Sequence, residues 1–245
     1  MRSKYSTIQL PRHFDDNPEG VQLLNLLVER FKALRLESLQ TNPEAFSNTY
    51  EREVAVPFET WESRLKSPSA RTFIAVEYVP PTPTATESQE LESRFSRLRT
   101  MPWVGMGVVT GPKVYKGEAI TASTSLWNIY HLPKAEPATK AVEGDNASTV
   151  ETIFYGVNAV YVSPTARGHG VGKQLIQTMF ESAKRELATQ NPGGSKGRFV
   201  VFVEKKNIAA RGLYERCGFE SLGEETYTRG DGGLGTAITL VQPLD

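Results

Sequence analysis

Residues 160 to 173 read Val160-Tyr161-Val162-Ser163-Pro164-Thr165-Ala166-Arg167-Gly168-His169-Gly170-Val171-Gly172-Lys173. A β-branched run enters a proline turn, a glycine-rich loop follows, and a helix starts. This strand–loop–helix unit commits the chain to strands with helices packed on them, an α/β (α+β) architecture. Three glycines in five residues remove side chains where a helix start leaves its N–H groups unpaired. Such a loop can wrap backbone donors around a phosphate at the positive end of the helix dipole. Arg167 and Lys173 bracket the loop and add full positive charges.

Three phosphate-binding patterns compete for these residues. A P-loop, G-x-x-x-x-G-K-[ST], requires glycine where Arg167 stands and Ser or Thr where Gln174 stands, so it fails twice. A dinucleotide fingerprint, G-x-G-x-x-G, fits Gly168 and Gly170 but meets Lys173 at its third glycine. Gly230, Gly232 and Gly235 do satisfy that fingerprint. Only ten residues follow, however, and Ala237 to Val241 reads as a strand, which predicts a hairpin loop there. The third pattern, R-x-x-G-x-G, is filled by Arg167, Gly170 and Gly172. It resembles the acetyl-coenzyme A loop of the GNAT superfamily of N-acetyltransferases. A tight strand-to-helix turn without a ligand would use the same glycines.

Downstream, Phe199-Val200-Val201-Phe202-Val203 is a compact apolar run that predicts a buried strand. Asn207 is a good N-cap, and the helix from Ile208 to Cys217 stops at Gly218. The stretch Asn207-Ile208-Ala209-Ala210-Arg211-Gly212-Leu213-Tyr214-Glu215-Arg216-Cys217-Gly218-Phe219 is similar to the superfamily's N-x-x-A-x-x-L-Y-x-x-x-G-F segment at every fixed position. Two such segments, in the right order and about forty residues apart, identify the chain as resembling a member of that superfamily.

The resemblance implies one N-acetyltransferase domain over 1–245 and a cofactor-binding core over 153–220. It implies a mixed sheet of about seven strands flanked by helices and splayed between the two strands that hold the cofactor. Acetyl-coenzyme A is then the cofactor. Its pantetheine arm pairs with the strand Val160, Tyr161 and Val162, through the backbone of Val160 and Val162. Its pyrophosphate sits on Arg167, Gly168, His169, Gly170, Val171, Gly172 and Lys173. Asn207, with Ala210 beside it, bonds the arm, and Tyr214 donates a proton to the departing sulfur. Asn207 and Tyr214 are seven residues apart, about two turns, and so share one helical side. Simpler roles remain for both, a helix cap and a core aromatic.

The rest of the chain predicts the order β-α-α-β-β-β-α-β-α-β-β. An amphipathic helix runs from Pro18 to Leu39, a short one covers Glu59 to Lys66, and strands cover Thr72 to Val76 and Trp103 to Val109. Two stretches, 80–100 and 111–150, read as surface insertions. The second contains the apolar-aromatic cluster Leu126 to Leu132, which either packs on the body or walls an acceptor pocket.

Transfer to an amine needs a base, because an alkyl ammonium is protonated at neutral pH. Counting back by twos from Val162 gives Asn158 and Gly156, and neither is a base. Glu204, at the end of the next strand, is the nearest carboxylate in a motif; Glu151 and a water relay on Asn158 are alternatives. Glu51, Glu53, Glu59 and Glu62 either attract a cationic amine or form a solvated face with Arg52 and Arg64.

Lys+Arg and Asp+Glu are both 28, which argues against a dedicated nucleic-acid binder. No apolar run suggests a membrane span, and the N-terminus lacks the apolar core of a signal peptide. The single cysteine, Cys217, excludes an intrachain disulfide framework. The three histidines show no metal-ligand spacing, so no metal is expected. A cytoplasmic enzyme is expected, the nucleus not excluded, monomeric or homodimeric, acting on an amine of a small molecule or peptide. The alternative is a non-catalytic acyl-coenzyme A-binding or partner-binding member of the same fold.

Overall fold

In the computed structural model of the chain, the described residues are 4–77, 87–118, 120–121, 124–131, 150–190, 196–229 and 232–244. Seven strands form one sheet: β1 (Tyr5–Gln9), β2 (Ala70–Glu77), β3 (Trp103–Gly117), β4 (Val150–Val162), β5 (Lys196–Glu204), β6 (Glu220–Thr228) and β7 (Leu234–Pro243). Their order is β1-β2-β3-β4-β5-β7-β6. Only β4 and β5 pair in parallel. They are joined by α6 (Val171–Gln190), as a parallel pair requires a crossover. The remaining helices are α1 (Pro18–Thr41), α2 (Tyr50–Val54), α3 (Phe58–Lys66), α4 (Glu87–Thr100), α5 (Leu126–His131) and α7 (Ile208–Glu215).

Each sheet face carries its own apolar layer, because strand side chains alternate. Phe73, Ala75, Val109, Tyr155 and Val201 pack under Leu175, Met179 and Ala183 of α6. Ile74, Val76 and Met106 face the other way, onto Leu27 and Phe31 of α1, Trp61 of α3 and Leu98 of α4. The glycines of β3 admit α6 closely: a Cβ on Gly107 would lie 2.6 Å from Met179 Sδ.

Most elements follow their sequence signals. Asn17 caps α1 through Gly20 N–H (2.8 Å). Gly218 takes a positive φ of 93° after α7, as a helix stop does. The C-terminal glycine fingerprint joins β6 to β7 as a hairpin, with Thr228 opposite Leu234; its Gly230 lies outside the described residues.

The two insertions are partly ordinary structure. Residues 87–100 form α4, whose Leu98 is fully buried, whereas 80–86 lie outside the described residues. The second insertion starts later than its composition suggests. β3 continues past Val109, and Lys113 to Gly117 pair with Phe154 to Val150. No residue from Thr110 to Gly117 is buried, so the extension lacks the apolar face by which a half-buried strand is read from sequence. β4 accordingly begins at Val150, so that Val150 to Phe154 pair with the end of β3. Among the described residues no helix is long and apolar enough to cross a membrane. No group of three His, Cys, Asp or Glu there is placed to hold a metal ion.

Candidate active site

The site forms where β4 and β5 part. Their parallel register runs from Thr152 opposite Lys196 to Val157 opposite Val201 and goes no further, although β4 continues to Val162 and β5 to Glu204. The cause lies in β4. Ala159 adopts φ 51°, a left-handed conformation rare for a non-glycine residue. Here Met106 opposes Tyr161 and Val108 opposes Asn158, so β4 carries one residue more than β3. This is a β-bulge, which bends and twists the strand that bears it.

The bulge also inverts the side-chain phase. Ile153, Tyr155 and Val157 face α6, and beyond it Val160 and Val162 pack on that same layer. Tyr161 faces α1 instead. Counting back by twos from Val162 to Asn158 and Gly156 therefore names the wrong face. The positions in phase are Val160 and Val157. Asn158 points its amide at Thr110 Oγ1 (2.9 Å).

A groove of about 560 Å³ opens along the splay, a size suited to a small-molecule ligand. It is lined by Val160, Tyr161, Val162, Arg167, Gly168, Gly170, Val171, Gly172, Lys173, Asn207, Ala210 and Tyr214, so two segments distant in sequence meet there. Gly168 and Gly170 have φ of 76° and 80°. A Cβ on either would meet nothing within 4 Å, so the loop turns bare backbone to an open cradle at the start of α6. Gly172 serves differently: a Cβ there would come 2.9 Å from Leu213 Cδ2, where α6 approaches α7. Cradle, helix start and Lys173 suit a phosphate-bearing group such as that of coenzyme A.

The loop is held from behind. Arg167 donates from Nε to Val162 O (2.9 Å) and from Nη2 to Asn42 Oδ1 (2.5 Å). Glu37 accepts from Tyr161 Oη (2.8 Å) and Ser163 Oγ (3.0 Å). His169 is not among the groove-lining residues. Its Nδ1 lies 2.8 Å from Arg167 O, and its ring sits near Tyr5.

Asn207 accepts from Ala210 N–H (3.0 Å), so it does cap α7. That contact uses its oxygen and leaves the amide N–H₂ unpartnered among the described residues. Tyr214 is 5% exposed and packs edge-on to Phe219. Burial first, and Cys217 second, push its phenol well above the usual tyrosine value. Its hydroxyl therefore stays protonated at neutral pH and has no hydrogen-bond partner among the described residues.

A second cavity, about 250 Å³, adjoins the groove and shares Val160, Asn207, Ala210 and Tyr214 with it. Its walls include Arg35, Phe46, Trp127, Glu204 and Tyr227. Trp127 packs on Phe202 and Tyr227 at 5.0 and 4.9 Å, so the α5 cluster does form a cavity wall; Leu132 lies outside the described residues. Glu204 is buried. It accepts from Tyr227 Oη (2.7 Å) and pairs with Arg229 Nη2 (2.9 Å). Burial, then the Glu204 hydrogen bond, raise the Tyr227 phenol to about 12. Glu151 is remote from the splay and pairs with Lys116 at 3.0 Å.

Two of the four glutamates of α2 and α3 are already paired with cations of the chain. Glu53 is buried between Arg64 (2.6 Å) and Arg35 (3.7 Å), and Glu62 bonds Lys66. The sequence pattern did not single out Arg35 or Tyr227. Each sits in a distant element and is brought to the cavity only by the fold.

Residues 138–221 match the model of the acetyltransferase (GNAT) domain. A comparison of the sequence with curated proteins finds no match. Among solved structures, the chain is similar to NAA60 of Arabidopsis thaliana in complex with acetyl-CoA. The identity is 14%, the TM-score 0.51, and 98% of each chain is covered. It is also similar to yncA of Salmonella typhimurium, a putative acetyltransferase with its cofactor acetyl-CoA, at 12% identity and a TM-score of 0.51, with 99% of this chain and 95% of that one covered. An acetyltransferase of the GNAT family from Streptococcus pneumoniae matches at 11% identity and a TM-score of 0.50, with 98% and 99% covered. At these identities the likeness concerns the fold. The match to the acetyltransferase (GNAT) domain model thus spans the cradle and α7, and the likeness along the rest of the chain is one of fold.

Proposed function

We propose that the protein is an acetyl-coenzyme A-dependent N-acetyltransferase that passes the acetyl group directly to a primary amine. The observation that carries this reading is the meeting of two cavities at Tyr214, one lined by the glycine loop and the other a partly aromatic slot. Bound in the groove, acetyl-coenzyme A would supply the acetyl group as a thioester. The net change is ammonium plus thioester to amide, thiol and one proton.

The chain's own residues supply positioning and proton handling. The loop from Gly168 to Lys173 offers backbone N–H groups and one ammonium to the phosphates. The edge of β4 at Val160, the N–H of Val162 (its carbonyl accepts from Arg167) and the free amide of Asn207 offer hydrogen bonds to an extended arm. Tyr214 keeps a proton at the junction, available to a leaving sulfur. Glu204 is the carboxylate of the acceptor slot. A carboxylate oxygen accepts two hydrogen bonds, so Arg229 and Tyr227 leave it capacity to take a proton from the amine.

Thiol release from acetyl-coenzyme A over a mixed panel of amines tests the reading. Cofactor binding without release on any amine would leave a binding module instead.

Two variants refine it. Glu204→Gln is expected to lower kcat/KM for the amine by about 10²-fold, the low end for a lost proton acceptor. Raising the pH should recover part of the loss, because a neutral amine needs no base; a loss independent of pH would give Glu204 a structural role only. Cys217→Ala is expected to keep most turnover. The thiol is half-buried against the α6 layer, and burial pushes it above its usual value, away from the reactive thiolate. An inactive, folded variant that still binds cofactor would point to an acyl-cysteine.

A further inference from the structure

Behind the acceptor slot lies a third cavity, about 270 Å³, between α1, α3 and strands β2 to β4. It meets the slot at Arg35, Asn158 and Ala159, directly behind the bulge. Two guanidinium groups line it. Arg64 bonds Glu53 Oε2 at 2.6 Å and lies over the Trp61 ring. Arg35 lies over the Phe46 ring, 4.6 Å from its centre, with its side chain only 11% exposed.

Arg35 is poorly satisfied for so enclosed a cation. Glu53 Oε1 already accepts from Asn48 Nδ2 at 2.6 Å, and its distance to Arg35 Nη2 is 3.7 Å, beyond a hydrogen bond. Arg35 Nη1 is buried without any partner. Buried guanidinium donors left unmade are costly, and such groups are normally paired. Arg35 and Arg64 against Glu53 leave this lining with one net positive charge. Across the slot, Glu204 and Arg229 cancel.

We propose that the acceptor amine carries a carboxylate on its own skeleton, received by Arg35 with Arg64 behind it. The proposal rests on the N-acetyltransferase reading and names its substrate class. One net positive charge suits a monoanion better than a phosphate dianion. A guanidinium presents parallel N–H donors that match a carboxylate. A cavity of this size holds on the order of ten heavy atoms beyond the slot, so the acceptor is a small amino-acid-like molecule. Val108, Phe31 and the Phe46 ring supply an apolar lining for its carbon chain. The amine then lies in the slot towards Tyr214 and Glu204, and the carboxylate behind it.

Matched acceptors test this, such as 4-aminobutyrate against 4-aminobutyramide. Their charged groups lie far enough apart that losing the carboxylate changes the amine little. Wild-type kcat/KM, read by thiol release, is expected to favour the acid by about 10- to 10²-fold, as for a hydrogen bond to a charged group. Arg35→Gln should bring the ratio towards one, and the more exposed Arg64→Gln should lower it part of the way. Equal use of acid and amide by the wild type overturns the inference and leaves the acetyltransferase standing. So does a folded Arg35→Gln that keeps the preference. If Arg35→Gln does not fold, the wild-type ratio and Arg64→Gln decide. Cofactor binding with no amine acetylated removes the enzyme reading itself, and the carboxylate acceptor with it.

Discussion

Tyr214→Phe is expected to lower kcat by about 10³-fold, within the range for a lost general acid, while acetyl-coenzyme A affinity changes little. The variant keeps the ring, and the ring does the packing: it meets Phe219 edge-on inside the layer shared with α6. Only the hydroxyl is removed. That hydroxyl has no protein partner among the described residues, so its loss strands no buried donor or acceptor and should cost little stability. A proton used only as the sulfur departs belongs to the transition state, so kcat and kcat/KM should fall together. The measurement is kcat with a good acceptor, paired with a cofactor titration. Wild-type turnover in a variant whose chemical step limits the rate would make Tyr214 a core aromatic and nothing more.

Gly170→Asp should weaken acetyl-coenzyme A binding by at least about 10²-fold, because it sets a carboxylate against the pyrophosphate at close range. The position isolates that effect. A Cβ at Gly170 meets nothing within 4 Å, so no neighbour is displaced. The φ of 80° adds backbone strain, which Gly170→Ala shares without the charge. Calorimetry should therefore rank the wild type tightest, alanine weaker, and aspartate weakest or silent, with all three folded by circular dichroism. Equal affinity for the aspartate variant and the wild type would remove the loop from the phosphate site.

Local signals carried much of this molecule. The cradle was legible because glycine, arginine and helix start lie within a few residues of one another. The capping oxygen of Asn207 and the stop at Gly218 are likewise short-range. Long-range facts were hidden for a physical reason: they depend on which faces meet. Glu53 reads as one of several surface carboxylates, yet α2 buries it against Arg35 and Arg64. Trp127 reads as part of a stray aromatic cluster until β5 and β6 bring Phe202 and Tyr227 beneath it. The helix at 87–100 has a mostly polar sequence, and it is anchored by the fully buried Leu98 with Phe95 packed on the same cluster. Ala159 gives least warning of all, since nothing in alanine's chemistry announces a left-handed backbone.

That one alanine has a consequence for how relatives of this chain should be aligned. Removing it would leave both glycine and tyrosine motifs letter-perfect, and a comparison by identity would record one trivial gap. In three dimensions the deletion would rotate everything between it and the cradle by half a turn, sending Val160 and Val162 towards α1 and Tyr161 towards α6. It would also let β4 zip onto β5 past Val157 and shut the slot. Whether a distant sequence keeps this chemistry is thus better judged by the parity of residues between Val157 and Arg167 than by the percentage of letters shared.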